Sequence, residues 1–359
     1  MPPFGDAHCH HFDGAFDLDA LTQTYFHDGI FYAMDPCNSR QSAERIKARV
    51  NLPTGIDVKF ANGGLTGENS HPIPLLEGVG RGYYSYPVQI EHRAELLHYR
   101  RRENDAYFIL NTKADLDQKW AQILAGKPGL IKVFLCHSED NAQRGKRPGY
   151  GEGIAPELLP EVVKRAHRAG LRVAAHADSA TDYRIALAAG VDLMAHLCGY
   201  TMEPEDPLES YRLTPDDAAL TAKRHVGVIP TACLSGDLDA GANKIRARNN
   251  QIRNLKLLKE AGVRFGLGVD TYGVDSLQEA LYLNGTGVWS NLEMLKMWCE
   301  DTPHMIFPER KIGSLQDGYE ASLIVLNKNP LEDFRNVQTV RLRFKQGVLL
   351  TVPKEGTGK

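Results

Sequence analysis

The chain has 359 residues, 42% of them hydrophobic and 24% charged, with a formal net charge of −3. This composition supplies a large core and excludes global disorder, and the near-neutral balance gives no electrostatic basis for nucleic acid or an anionic membrane as a partner. Six scattered cysteines without a C-x-x-C pair exclude a disulfide scaffold, no apolar run approaches the ~20 residues that span a bilayer, and Met1–Gly5 lacks the basic and apolar regions of a secretory signal.

In chain order, short apolar runs alternate with longer stretches of helical period, the pattern of a parallel sheet with crossover helices. Eight strands are predicted: Pro3–Cys9, Gly29–Met34, Asp57–Ala61, Leu130–Leu135, Leu171–Ala175, Val191–Ala195, Val226–Pro230 and Val263–Val269. The clearest helices are Pro156–Ala169, Ala180–Ala189, Asn243–Ala261 and Ser276–Leu283, and Gly170, Gly190 and Gly262 stand where a helix ends on a C′ glycine. The count of eight and the repeated Ala-Gly joint before a strand point to an α/β fold, a closed (β/α)₈ TIM barrel over 1–310, although alternation alone also fits a doubly wound sheet. Residues 62–112, rich in glycine and tyrosine, are too long for a simple connection and read either as a peripheral insertion or as a lid. From 311 to 359 the character changes to short strands, Ser322–Leu326, Val337–Phe344 and Val348–Val352, which make a small sandwich-like β appendage.

Catalytic groups of such barrels stand at the C-terminal ends of the strands. The first strand ends in Asp6-Ala7-His8-Cys9-His10, and residues i and i+2 of a strand share a face, so His8 and His10 present two imidazoles to one point. Lys132 lies on the fourth strand, His176 ends the fifth, His196 the sixth and Asp270 the eighth. Each has a plain explanation by itself: a surface histidine pair, a snorkelling lysine, a satisfied histidine, a helix-capping aspartate. Six residues of these types converging on one barrel mouth make coincidence the poorer account. Imidazoles and a carboxylate suit a borderline divalent ion such as zinc, and Asp270 can also accept a proton from water on that ion. An ammonium has no lone pair, so Lys132 ligates only as the neutral amine or as its carbamate, whose two oxygens can bridge two ions.

This pattern resembles the amidohydrolase superfamily, in its imidazolonepropionase-like and prolidase-like branch. The family's H-x-H, strand-four lysine, histidines of strands five and six, and strand-eight aspartate are matched by His8, His10, Lys132, His176, His196 and Asp270. The tail is similar too, in Ile312-Gly313-Ser314-Leu315, Gly318-Tyr319-Glu320-Ala321 and Asn329-Pro330-Leu331. The resemblance implies two divalent ions, zinc first with manganese or iron as alternatives. His8, His10 and Asp270 would hold the more buried ion, His176 and His196 the more exposed one, with the carbamate of Lys132 between them. It implies hydrolysis of an amide, in a dipeptide or N-acyl amino acid, or of an ester, by attack of a metal-bridging hydroxide with Asp270 moving the proton. His137, Tyr150, Cys198, Tyr200 and Tyr272 are substrate contacts by position.

Two other readings stay open. One is a mononuclear zinc deaminase using His8, His10, His176 and Asp270, which leaves Lys132 without a role; the other is a non-catalytic binding barrel, which predicts broken ligands where none of the six is broken. The expected partner is a small-molecule substrate, with homo-oligomerisation left open. Relatives carry strands ahead of the H-x-H that complete the β appendage, whereas five residues precede Asp6 here. The expectation is therefore an incomplete appendage or a missing upstream segment, and a cytoplasmic protein as written, periplasmic or secreted if such a segment exists.

Overall fold

A computed structural model describes residues 1–12, 17–140, 153–235 and 241–351. β1 (Phe4–Asp6), β2 (Ile30–Asp35) and β3 (Asp57–Phe60) pair side by side in parallel. A second parallel sheet takes β4 (Gly64–Thr66), β5 (Tyr107–Ile109), β6 (Ile131–Leu135), β7 (Val173–Ala177), β8 (Leu193–Met194) and β9 (Gly227–Val228) in the order β5-β4-β6-β7-β8-β9. The two sheets are parts of one barrel. β3 and β4 are halves of a single bent stave, the first half paired with β2 and the second with β6, and Gly129 N–H donates across the bend to Phe60 O at 2.7 Å. The bend falls at Asn62 and Gly63, with φ of 56° and 112°; a Cβ on Gly63 would stand 2.8 Å from the Phe108 ring.

The eighth stave is residues 263–269. On one side Val228 N–H donates to Arg264 O (3.0 Å) and Gly266 N–H to Val228 O (2.9 Å); on the other Ala7 N–H donates to Leu267 O (2.7 Å). These bonds carry the ring from β9 back to β1, so the (β/α)₈ barrel forms with all eight predicted strands in place. Burial of all six residues of β2, Ile-Phe-Tyr-Ala-Met-Asp, is what a stave covered on both faces requires.

Three differences from the sequence expectation matter. The fifth strand runs two residues later than expected, Val173–Ala177, so His176 sits within its ladder rather than beyond it. Residues 64–66, expected in the excursion, belong to the barrel. β5, which was not predicted, adds outside β4 as a three-residue apolar piece, Tyr-Phe-Ile, too short to stand out as a period-two pattern.

Helices start at the C-terminal rim on capping boxes: Thr112 with Asp115, Ser179 with Asp182 and Thr214 with Asp217. They end near the opposite rim, where Gly170, Gly190 and Gly262 adopt φ of 71°, 86° and 79°. Among the described residues no helix is long and apolar enough to cross a membrane.

The tail forms a three-stranded antiparallel sheet, β10 (Leu323–Leu326), β11 (Val340–Lys345) and β12 (Val348–Leu349). Its free edge at β10 exchanges two backbone bonds with Met1, at 3.0 and 2.9 Å. Lys345 is fully buried and reaches Asp57 Oδ1 at 2.7 Å and Leu52 O at 2.6 Å, while Arg310 takes Asp57 Oδ2 at 2.7 Å and also pairs with Glu320. Asp57 opens β3, so this buried charge cluster fastens the tail to the barrel wall. Removing one member leaves its partner charged and dry. Asp57→Asn is expected to cost about 3–5 kcal/mol in urea unfolding, with part recovered in Asp57→Asn/Lys345→Met; a loss near zero would show that apolar contact alone docks the tail.

Candidate metal centre

The H-x-H segment stays extended past β1 because it is hydrogen-bonded on both sides. Cys9 N–H donates to Met34 O (3.0 Å), Asp270 N–H donates to His8 O (2.8 Å), and Asp6 Oδ1 accepts from His8 N–H (3.2 Å). His8 and His10 therefore point the same way, as the period of two requires. Their Nε2 atoms lie 3.2 and 2.7 Å from one oxygen, Asp270 Oδ1. Asp270 itself has φ of 52°, a left-handed backbone uncommon outside glycine. Gly268, two residues earlier, has no room for a Cβ, which would meet His8 N at 2.5 Å.

His196 arrives from just beyond β8. Its Nδ1 is 2.7 Å from Thr231 Oγ1 and 3.7 Å from Asp270 Oδ2, and its ring stacks on Tyr200 with centroids 4.3 Å apart. His176, on β7, stands 4.4 Å ring to ring from His196, and its Nε2 is 2.9 Å from Asp178 Oδ1. Lys132, on β6, is buried, and its Nζ lacks a hydrogen-bond partner among the described residues. All six predicted ligand residues line one cavity of about 260 Å³.

Burial governs the charge states. It pushes Lys132 down to about 8 against the pull of Asp270, and takes His8 down to about 3. At His10 burial opposes the charge, but the nearby Asp270 and Asp35 carboxylates outweigh it and raise the group to about 10. Burial likewise opposes ionisation of Asp270, yet His8, His10 and His196 hold its carboxyl well below the usual range. His8 Nδ1, His176 Nδ1 and Lys132 Nζ are buried polar atoms without partners among the described residues, each costing about 1–3 kcal/mol. A donor set of imidazole nitrogens around an ionised carboxylate fits a divalent cation. One ligand atom from each of His8, His196 and Asp270 falls within 4.8 Å of the others, as does one from each of Cys136, His176 and Asp178.

Of the substrate positions expected, Tyr200 and Tyr272 line the cavity. Cys198 does not. The β8 ladder ends at Met194, so alternation no longer predicts the face at 198, and Cys198 Sγ turns away to Tyr211 O at 3.5 Å. His137 also lies off the cavity, with Nδ1 3.4 Å from Glu139 Oε1 and 3.8 Å from Asp206 Oδ2. Tyr150 lies outside the described residues.

Two residues that the sequence reading passed over belong to the site. His71 lines the cavity and stacks on His176 at 4.8 Å, and burial pushes it down to about 3; it comes from the 62–112 excursion, where no period marks a functional position. Asp35, wholly buried, ends β2 and faces His10 Nδ1 at 3.5 Å. Its strand-end aspartate is the same signal that marked Asp270, missed because the second strand was ended one residue early.

Residues 148–350 match the family model described as amidohydrolase family. The chain belongs to the amidohydrolase family. The matched stretch holds His176, His196 and Asp270, while His8, His10 and Lys132 precede it. Ochratoxinase of Aspergillus niger is 28% identical over 235 residues, 63% of this chain and 47% of that protein. The chain thus spans about half the length of the curated relatives it matches. Among solved structures it superposes on A. niger ochratoxinase with a TM-score of 0.72 at 19% identity, covering 97% of this chain and 82% of that one. A Xaa-Pro dipeptidase with bound methionine in its active site gives 0.67 at 20%, covering 97% and 86%. At such identities the likeness carries the fold.

Asp35 stands 3.5 Å from His10 Nδ1, the position from which a carboxylate would orient that imidazole toward a metal. Asp35→Asn keeps the shape and removes the charge, and is expected to weaken metal binding about 10–100-fold in a chelator competition. Equal affinity in the two proteins would remove Asp35 from that role.

Proposed function

We propose that the chain is a metal-dependent hydrolase of amide bonds, working with two divalent ions, zinc first and manganese or iron as alternatives. His8, His10, Lys132, His176, His196 and Asp270 would hold them. The observation that carries this reading is Lys132. Its amine is buried among imidazoles, has no hydrogen-bond partner among the described residues, and is shifted toward the neutral form. A neutral amine attacks carbon dioxide; the new N–C bond costs the nitrogen one proton and leaves an anionic carbamate with two oxygens to offer. In a mononuclear deaminase Lys132 would remain buried without a role.

Bound divalent ions would supply a lowered water pKa and a Lewis acid for a carbonyl oxygen. Around them the chain's own groups divide the work. Asp270 directs Oδ1 at both His8 and His10, which leaves Oδ2 as the oxygen to take a proton and return it to the leaving nitrogen. His71, kept neutral by burial, carries an N–H able to donate to a substrate oxygen. Tyr200 is oriented by its O–H, which donates to Asp178 Oδ1 at 3.1 Å. Leu75, Leu76 and Leu234 give the cavity an apolar side that limits water.

His71, Leu75 and Leu76 come from residues 62–112, which supports the lid reading of that excursion over the peripheral one. On this account 1–310 form the catalytic unit and 311–359 the appendage. A cavity of about 260 Å³ suits a small substrate such as a dipeptide or N-acyl amino acid, and the likeness to a Xaa-Pro dipeptidase supports the dipeptide.

Protein prepared with zinc and bicarbonate is expected to hold two ions per chain and to cleave a member of a dipeptide and N-acyl amino acid library, while Lys132→Met loses both metal and turnover. Unchanged metal content and turnover in Lys132→Met would overturn the reading. Asp270→Asn keeps one ligating oxygen but no longer accepts the proton, so kcat should fall about 10²–10⁴-fold with most metal retained. Near-normal turnover in that variant would return Asp270 to a structural role.

A further inference from the structure

Residues 270–273 form the turn that leaves the eighth stave, and they are tied down at both ends. Asp270 N–H donates to His8 O at 2.8 Å, and Gly273 N–H donates to His11 Nε2 at 3.0 Å. Between these two bonds stand Asp270, Thr271 and Tyr272, all of which line the cavity. Asp270 and Gly273 have left-handed backbones, with φ of 52° and 81°, which take the chain out of any regular ladder. The second tie is therefore a side chain, supplied by the continuation of the first stave.

One donor fixes the direction of every hydrogen in this contact. A backbone N–H can only donate, so His11 Nε2 is the bare nitrogen of the ring, and in the neutral imidazole the proton then sits on Nδ1. Nδ1 lies 3.1 Å from the Tyr25 hydroxyl, which accepts from it. Tyr25, on the helix Leu18–His27, donates its own hydrogen to Asp6 Oδ2 at 3.1 Å, and Asp6 Oδ1 takes His8 N–H at 3.2 Å. His11, Tyr25 and Asp6 are all buried, which keeps bulk water from competing for these bonds. The chain of bonds thus joins the turn that carries Tyr272 to the strand that carries the H-x-H pair. The His11 ring also packs on Tyr272 itself, centroids 6.3 Å apart and planes at 83°, while His10 meets the same ring at 6.4 Å.

We propose that His11, held as the Nδ1–H tautomer, is a positioning residue that sets the place of Tyr272 in the cavity wall and, through it, the fit of the substrate. His11 takes no part in holding metal, because both of its ring nitrogens are engaged within the protein. The role at the substrate rests on the hydrolase reading above; the tautomer and the tie to Gly273 do not.

Nitrogen NMR of the metal-free chain, labelled at histidine, tests the tautomer, with His11 assigned by its absence from His11→Gln. Wild-type protein is expected to show His11 Nδ1 protonated and Nε2 bare; a protonated Nε2 would overturn the proposal. Kinetics on the library member that the zinc-loaded wild type cleaves test the positioning. His11→Phe keeps a ring and removes both bonds, so KM should rise up to about tenfold, the worth of one net hydrogen bond, with kcat and bound metal kept. His11→Gln, whose amide oxygen can accept from Gly273 N–H, should recover most of that loss, and His11→Phe made on Tyr272→Ala should add nothing to KM. An unchanged KM in His11→Phe, or a fall in kcat that follows loss of metal, would overturn the role. If the wild type cleaves nothing, the hydrolase reading falls, and hydrogen exchange at the Gly273 amide decides the tie: faster exchange in His11→Phe supports it and equal exchange overturns it. Should His11→Phe fail to fold, His11→Asn, which keeps the reach to Tyr25 but not to Gly273, takes its place with the same outcomes.

Discussion

The hydrogen bond from Asp270 N–H to His8 C=O closes the barrel and assembles the site at the same time. On the closure side it extends the contact between the eighth stave and β1, begun by Ala7 N–H on Leu267 O. On the site side it brings the Asp270 carboxylate under both imidazoles of the H-x-H pair, within 3.2 Å of each. Gly268 permits the approach and the left-handed backbone at Asp270 aims the side chain. A register slip of one residue between these two staves would turn His8, His10 and Asp270 to the wrong face together.

That arrangement is expensive for a folded chain. Lys132, His8 and His176 each bury a polar atom that no described residue satisfies, and Asp270 concentrates charge in the same cavity. A fold optimised for stability alone would put apolar side chains there, as it does along β2. The cost is concentrated at the C-terminal rim, while the other end of the barrel is closed by ordinary packing, with Gly5 and Gly227 set against the helix Thr302–Ile306. The tail contributes a second buried charge cluster, but there every charge meets an opposite one. The contrast between a satisfied cluster and an unsatisfied one supports the latter as a candidate place for an external cation.

Much of this was legible in the sequence because each stave is a short apolar run bounded by turn residues, and because strand ends in a barrel share one mouth. His8, His10, Lys132, His176, His196 and Asp270 could be brought to that mouth from position alone. Features that depend on contacts between staves were not legible. The Asn62-Gly63 bend splits one stave into β3 and β4, and only the pairing of each half with a different neighbour shows that they are one. Cys198 lies off the cavity because it stands beyond the end of its ladder, where alternation stops. His71 enters from an irregular excursion, so no periodicity pointed to it.

The central claim is that the unsatisfied groups at the rim converge on metal. Anomalous diffraction at the zinc edge, from crystals grown with zinc and bicarbonate, tests this most directly. The account predicts two peaks in the cavity, one among His8, His10 and Asp270 and one beside His176 and His196, with density for a carbamate on Lys132 between them. An empty cavity, or a single peak with an unmodified lysine, would contradict it.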